Sequence, residues 1–132
     1  MFQTIRCTEL PPRAAVSEAS GLSDAGFAAY VRESNLTAPS PSQLWVFADE
    51  NPDTVNDGWL KTDMTNPNRW DDGPGSFHNG ACPFNFADGH TEMHKWRSPK
   101  TCPPVKYERT AIQDPGSDDI QCMFYHTTVP LP

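Results

Sequence analysis

Long hydrophobic runs are missing from this chain. The longest, at residues 44–48, falls far short of the roughly 20 residues needed to span a bilayer. No charged start followed by an apolar middle marks a secretion leader. As it stands, the sequence is read as soluble, without an address of its own and without membrane insertion, and Met1 as an internal start or a point of truncation. Positive charge is scarce too. Ten Lys and Arg stand against 17 Asp and Glu, a net charge of −7. That balance excludes nucleic acid as a partner, because neutralising phosphates takes Lys and Arg in excess. It also argues against an anionic membrane surface. A neutral ligand or a cation suits it better.

Several chemical signatures are absent. No two of the four cysteines (Cys7, Cys82, Cys102 and Cys122) form a C-x-x-C pair, which removes the zinc knuckle and the thioredoxin-like motif. There is no G-x-S-x-G nucleophile elbow and no glycine-rich phosphate loop. Apolar residues make up 36% of the chain, little for a globular domain. The even cysteine count allows two disulfides in any of three pairings, or four free thiols. Cys82 to Cys102 is the first expectation, because a proline-rich return follows the hairpin beside Cys82.

Proline and glycine are plentiful, 14 and eight, and favour loops and short strands over long helices. Ser23 is placed to cap a helix over residues 24–33, with Phe27, Tyr30 and Val31 on one side. The proline-rich segment 37–43 leads to LWVFADE, residues 44–50, a strand candidate that turns acidic at its end. In CPFNFADGHTEMHKW, residues 82–96, Asp88-Gly89 separates two alternating runs and reads as a two-residue hairpin turn. That register pairs Ala87 with His90, Asn85 with Glu92, and Phe84 with Met93. It sends Phe84, Phe86 and Met93 to the core, and Asn85, His90, Glu92, His94 and Trp96 to the other face. A short helix is expected near residues 118–125, presenting Ile120, Met123 and Phe124.

His78, nine residues, and then Asp88-Gly89 match the signature of the prepilin-type processing-associated H-x9-DG family. FADENPDTVNDGW before it and FADGHTEMHKWRSPKT after it resemble the family's neighbouring blocks. The resemblance covers roughly residues 39–128 and leaves 1–38 as a divergent N-terminal segment of one domain spanning 1–132. It implies an exported protein, secreted or periplasmic, related to pseudopilins. It also implies an α+β, pilin-head-like fold: a twisted antiparallel sheet, short helices and long Pro/Gly-rich loops. The family supplies no activity, so function must be argued from a site.

Four constellations are candidates. Asp49 and Glu50 end the strand at residues 44–50 and point to opposite faces; a carboxyl there is partly desolvated, which raises its pKa and suits a general acid. Asp49, Asn51, Asp53 and Asp57 occupy positions 1, 3, 5 and 9 of an EF-hand-type loop. Thr54 and Leu60 stand where that loop needs glycine and glutamate, so no cofactor is expected, with a looser calcium site left open. His78, Asp88, His90, Glu92 and His94 cluster on the hairpin. On a strand His90 and His94 lie roughly 13 Å apart, too far to share a zinc ion. Of four tryptophans, Trp45 and Trp59 are assigned to the core, and Trp70 and Trp96 to the surface, where a flat ring beside carboxylates suits a sugar.

These pieces lead to an expectation of a small glycoside hydrolase on a pseudopilin-like head, acting on a glycan or small glycoside. Glu50 would be the acid, with Asp49, Asp57 or Asp88 as second carboxylate and His78 and His90 orienting the substrate. Trp96, Trp70, Asn85 and Glu92 would bind it. The alternative is a non-enzymatic accessory domain, or a glycan- or calcium-binding one, of a secretion or pilus system.

Overall fold

A computed structural model describes residues 26–108 and 111–130. Its strands are β1 (Trp45–Ala48), β2 (Arg69–Trp70), β3 (Ala81–Phe86), β4 (Thr91–Lys95) and β5 (Ile112–Gln113), followed by one α-helix, α1 (Asp118–Thr127). Single 3-10 turns lie at Glu33–Asn35 and Pro99–Thr101. The main sheet has the antiparallel order β1-β3-β4, and β2 pairs with β5 in a separate ribbon. The class is therefore α+β with antiparallel sheets. Among the described residues no helix is long and apolar enough to cross a membrane.

The β3–β4 hairpin forms where expected, but not in the expected register. The amide of Phe86 bonds the carbonyl of His90, and the amide of Gly89 bonds the carbonyl of Phe86. The loop is thus Ala87-Asp88-Gly89, with Gly89 left-handed at φ 90°. This is a three-residue connection closed by a glycine bulge, not a two-residue turn. Asn85 pairs with Thr91, Phe84 with Glu92 and Pro83 with Met93. A one-residue slip exchanges the faces of a strand. Met93 is therefore exposed, while His94 and Trp96 join Phe84 and Phe86 in the core. Pro83 is tolerated in this central strand because β1 pairing stops at Ala48 opposite Phe84, before an amide from residue 83 would be needed.

β1 is shorter than the segment 44–50, and its register shifts between Trp45 and Phe47. The bulge breaks the alternation, and Val46 and Phe47 are both exposed. The predicted helix at 24–33 is not found over its described part. Gly26 has φ 82°, Phe27 bridges to Pro130, and helical turns begin only at Glu33. Residues 23–25 lie outside the described residues.

Helix α1 covers the core face of the sheet. The Ser117 hydroxyl caps it by accepting from the amide of Ile120, and Asp118 and Asp119 sit in the first turn, where negative charge suits the helix dipole. Ile120, Cys122 and Met123 pack with Trp70, Cys82, Phe84, Phe86 and Trp96. Asp119, 1% exposed, accepts from the amides of Arg97 and Ser98 and from the Thr101 hydroxyl at 2.8–3.1 Å, fastening the exit of β4 to the helix. Trp45 Nε1 donates to Thr127 Oγ1 (2.9 Å), tying β1 to the same helix.

Cys82 and Cys102 are free thiols, which overturns the expected bridge between them. Each is turned to a different carbonyl: Cys82 to Asp49 and Pro83, Cys102 to Gly80. Cys122 is disulfide-bonded, and Cys7 lies outside the described residues.

Candidate functional site

The acidic segment after β1 folds back over residues 71–75. Glu50 bridges to Pro74, the amide of Asn51 bonds the carbonyl of Gly73, and the amide of Gly75 bonds the carbonyl of Asp49. Asp49 and Glu50 diverge as alternation predicts. Asp49 meets His78 Nε2 at 3.6 Å on an exposed surface. Glu50 accepts from Thr54 Oγ1 at 3.0 Å.

Thr54 lines a cleft of about 550 Å³ with Asn56, Asp57, Trp59, Lys61, Asp71, Asp72 and Ala111. Its floor is rigid by hydrogen bonding: Gly73 N donates to Thr54 Oγ1, Lys61 N to Asp72 Oδ2, and Trp59 N to Asp57 Oδ1. Asp71 holds Lys61 and Arg69 at 3.1 and 2.8 Å. Partial burial raises the pKa of Glu50. The Thr54 bond opposes that shift, and the charges of Asp72 and Asp57 reinforce it. The shift is in the direction that a general acid needs.

Trp59 is 80% exposed, the reverse of its core assignment, whereas Trp70 and Trp96 are 3% and 6% exposed and cannot stack on a ligand from where they lie. Trp70 packs edge-on against Trp96, whose Nε1 donates to the Gly75 carbonyl. The signal for Trp59 was its setting. Asn56-Asp57-Gly58 is turn chemistry, and a ring directly after such a turn has no alternating run to carry it inward.

The other predicted residues gather elsewhere. Asp88, His90 and Glu92 form a chain at the hairpin end. Asp88 Oδ1 accepts from the amide of His90 and meets its Nδ1, while Nε2 lies 3.2 Å from Glu92 Oε1. The His90 ring stacks on Phe86 at 4.5 Å. Bonding to Asp88 raises the pKa of His90 and lowers that of Asp88. Asn85 sits on the outer face of the sheet, donating to Thr91 Oγ1. The predicted site is thus dispersed: of its residues only Asp57 lines the cleft, and Glu50 touches the lining through its bond to Thr54. The calcium positions also disperse. Asn51 accepts from the amide of Asp53, and Asp53 accepts from the amides of Lys106 and Tyr107. Among the described residues no three His, Cys, Asp or Glu side chains gather as a metal cage. No family model, no curated protein and no solved structure matches the chain.

Proposed function

We propose that this chain is a glycan-binding domain whose ligand stacks on Trp59 and is hydrogen-bonded by Asn56, Asp57 and Lys61 of the acidic cleft. The observation that carries the reading is the 80% exposure of Trp59 at a cleft lined by polar groups. An indole left in water is an unfavourable place for so large an apolar surface, and a sugar ring face is a natural cover for it. A net charge of −7 directs the choice to neutral or cationic saccharides. The exported, pseudopilin-like setting is part of this proposal, and its support is the sequence motif from His78 to Asp88-Gly89.

Titration of a panel of neutral oligosaccharides, followed by tryptophan emission, tests it. Trp59→Ala should weaken the best ligand about 30-fold or more, the ~2 kcal/mol that marks a dominant contact. Equal affinity in that variant, or no binding to any member, removes the proposal.

A second reading, hydrolysis, is favoured by the place of Glu50, bonded to Thr54 of the cleft wall at 3.0 Å, with partial burial first and then Asp72 and Asp57 raising its pKa. Cleaving an acetal takes a proton donor and a nearby carboxylate. In this reading Glu50→Gln lowers turnover of an activated aryl glycoside ~10²-fold or more, while binding is retained. A wild-type protein that binds saccharides and cleaves none leaves the binding domain alone standing.

A further inference from the structure

Away from the cleft, the interface between β4 and α1 encloses a cavity of about 10 Å³, room for a single small guest. His94, His126, Met123, Trp96 and Phe84 are among its walls. His94 is 5% exposed and His126 8%. Among the described residues no group hydrogen-bonds either nitrogen of His94 or Nε2 of His126. Buried polar atoms left in this way are costly, and such an atom calls for a partner.

The tautomer of His126 follows from its neighbour. Nδ1 lies 2.6 Å from the carbonyl oxygen of Gln43, which can only accept, so Nδ1 carries the proton. Nε2 is then a bare lone pair in the wall of the cavity. An imidazole with one N–H given to a backbone carbonyl and the other nitrogen free is how metal-ligating histidines are oriented. Met123 precedes His126 by three residues on α1, so the two share a helix face. His94 comes from β4 across the cavity, its ring 4.7 Å from that of Trp96. Burial holds both imidazoles below the usual histidine value, in the neutral form that binds metals.

We infer that His94, His126 and Met123 form a buried site for a soft monovalent metal ion, Cu(I) or Ag(I). The thioether is the donor that selects such soft ions, and imidazole serves copper as well. The lining holds no carboxylate, and its cysteine, Cys122, is disulfide-bonded and offers no thiolate. A divalent ion among neutral donors would bear a far larger desolvation cost, since that cost grows with the square of the charge. From outside the cavity the Asp119 carboxylate acts on His94 and that of Glu92 on His126, with the Arg97 guanidinium opposing Asp119 at His94.

The test uses Ag(I), which needs no protection from oxidation, added to the whole chain carrying Cys102→Ser so that this half-buried thiol does not compete. Cys82 is fully buried, its thiol pushed up to about 12. One equivalent should bind, move the ring resonances of His94 and His126 and the methyl of Met123, and quench Trp96. Met123→Leu, which keeps the core volume, and His126→Gln should each weaken binding by at least the ~10–100-fold that losing even a supporting group costs. Should His126→Gln fail to fold, Met123→Leu decides. Resonances that do not move, or a Met123→Leu protein that binds as tightly as its parent, would mean that the cavity holds at most a water, and would overturn the site.

Discussion

His90 is held between Asp88 and Glu92 and lies flat on Phe86. Its pKa is raised, first by the hydrogen bond to Asp88, and Asp88 is lowered by the same bond. For the histidine, a folded value above the unfolded one means that its stabilisation is complete below the unfolded value, near 6.5. That stabilisation is lost as pH rises through the raised folded value. The carboxylate behaves oppositely: its share is present above its unfolded value and disappears as pH falls through the lowered one. Both groups are well exposed, so water and salt screen the pair and its weight in stability is small. The measurable consequence is local. An NMR titration of His90 should give a midpoint above the ordinary histidine value, and Asp88→Asn should bring it down; a midpoint unmoved by that substitution contradicts the pairing.

At the scale of elements, the β3–β4 hairpin shows what a turn decides. The alternation around Asp88-Gly89 announces a hairpin, and apolar Met93 invites an inward assignment. Loop length overrules it, because the loop takes in Ala87 as a third residue, closing on left-handed Gly89 at φ 90°, and moves every β4 side chain to the opposite face. The substitution Met93→Lys separates the two registers. At its exposed position the change should cost no more than ~0.5 kcal/mol in urea unfolding; a buried Met93 would make it severely destabilising. The helix after Ser117 was legible because cap, acidic first turn and apolar spacing agree. The cleft was legible only in half. Asp57 stood out in the acidic run after β1, but Asp71 and Asp72 reach the cleft through the fold-back of residues 71–75, a non-local pairing without a period in sequence. The burial of Trp70 and Trp96 depends equally on partners far along the chain.

The molecule as a whole draws its cohesion from a modest core and from buried carboxylates that bind backbone amides. Asp53 gathers the segment at Lys106 and Tyr107, and Asp119 the exit of β4. Its thiols report on that organisation. In the native protein Cys102 should be alkylated before Cys82, which is fully buried with its thiol pushed up to about 12. After denaturation without reductant, peptide mapping should find label at both and none at Cys122; label at Cys122 would show that its disulfide does not form. The bulge in β1 carries a last consequence. β1 is an outer strand of its sheet and displays Val46 and Phe47 to water, a combination that invites the strand of a neighbouring molecule to add on. The shift between Trp45 and Phe47 interrupts the row of amides and carbonyls that such a strand would need. One extra residue in the strand thus works as a guard against edge-to-edge aggregation, in a place where the side chains offer none.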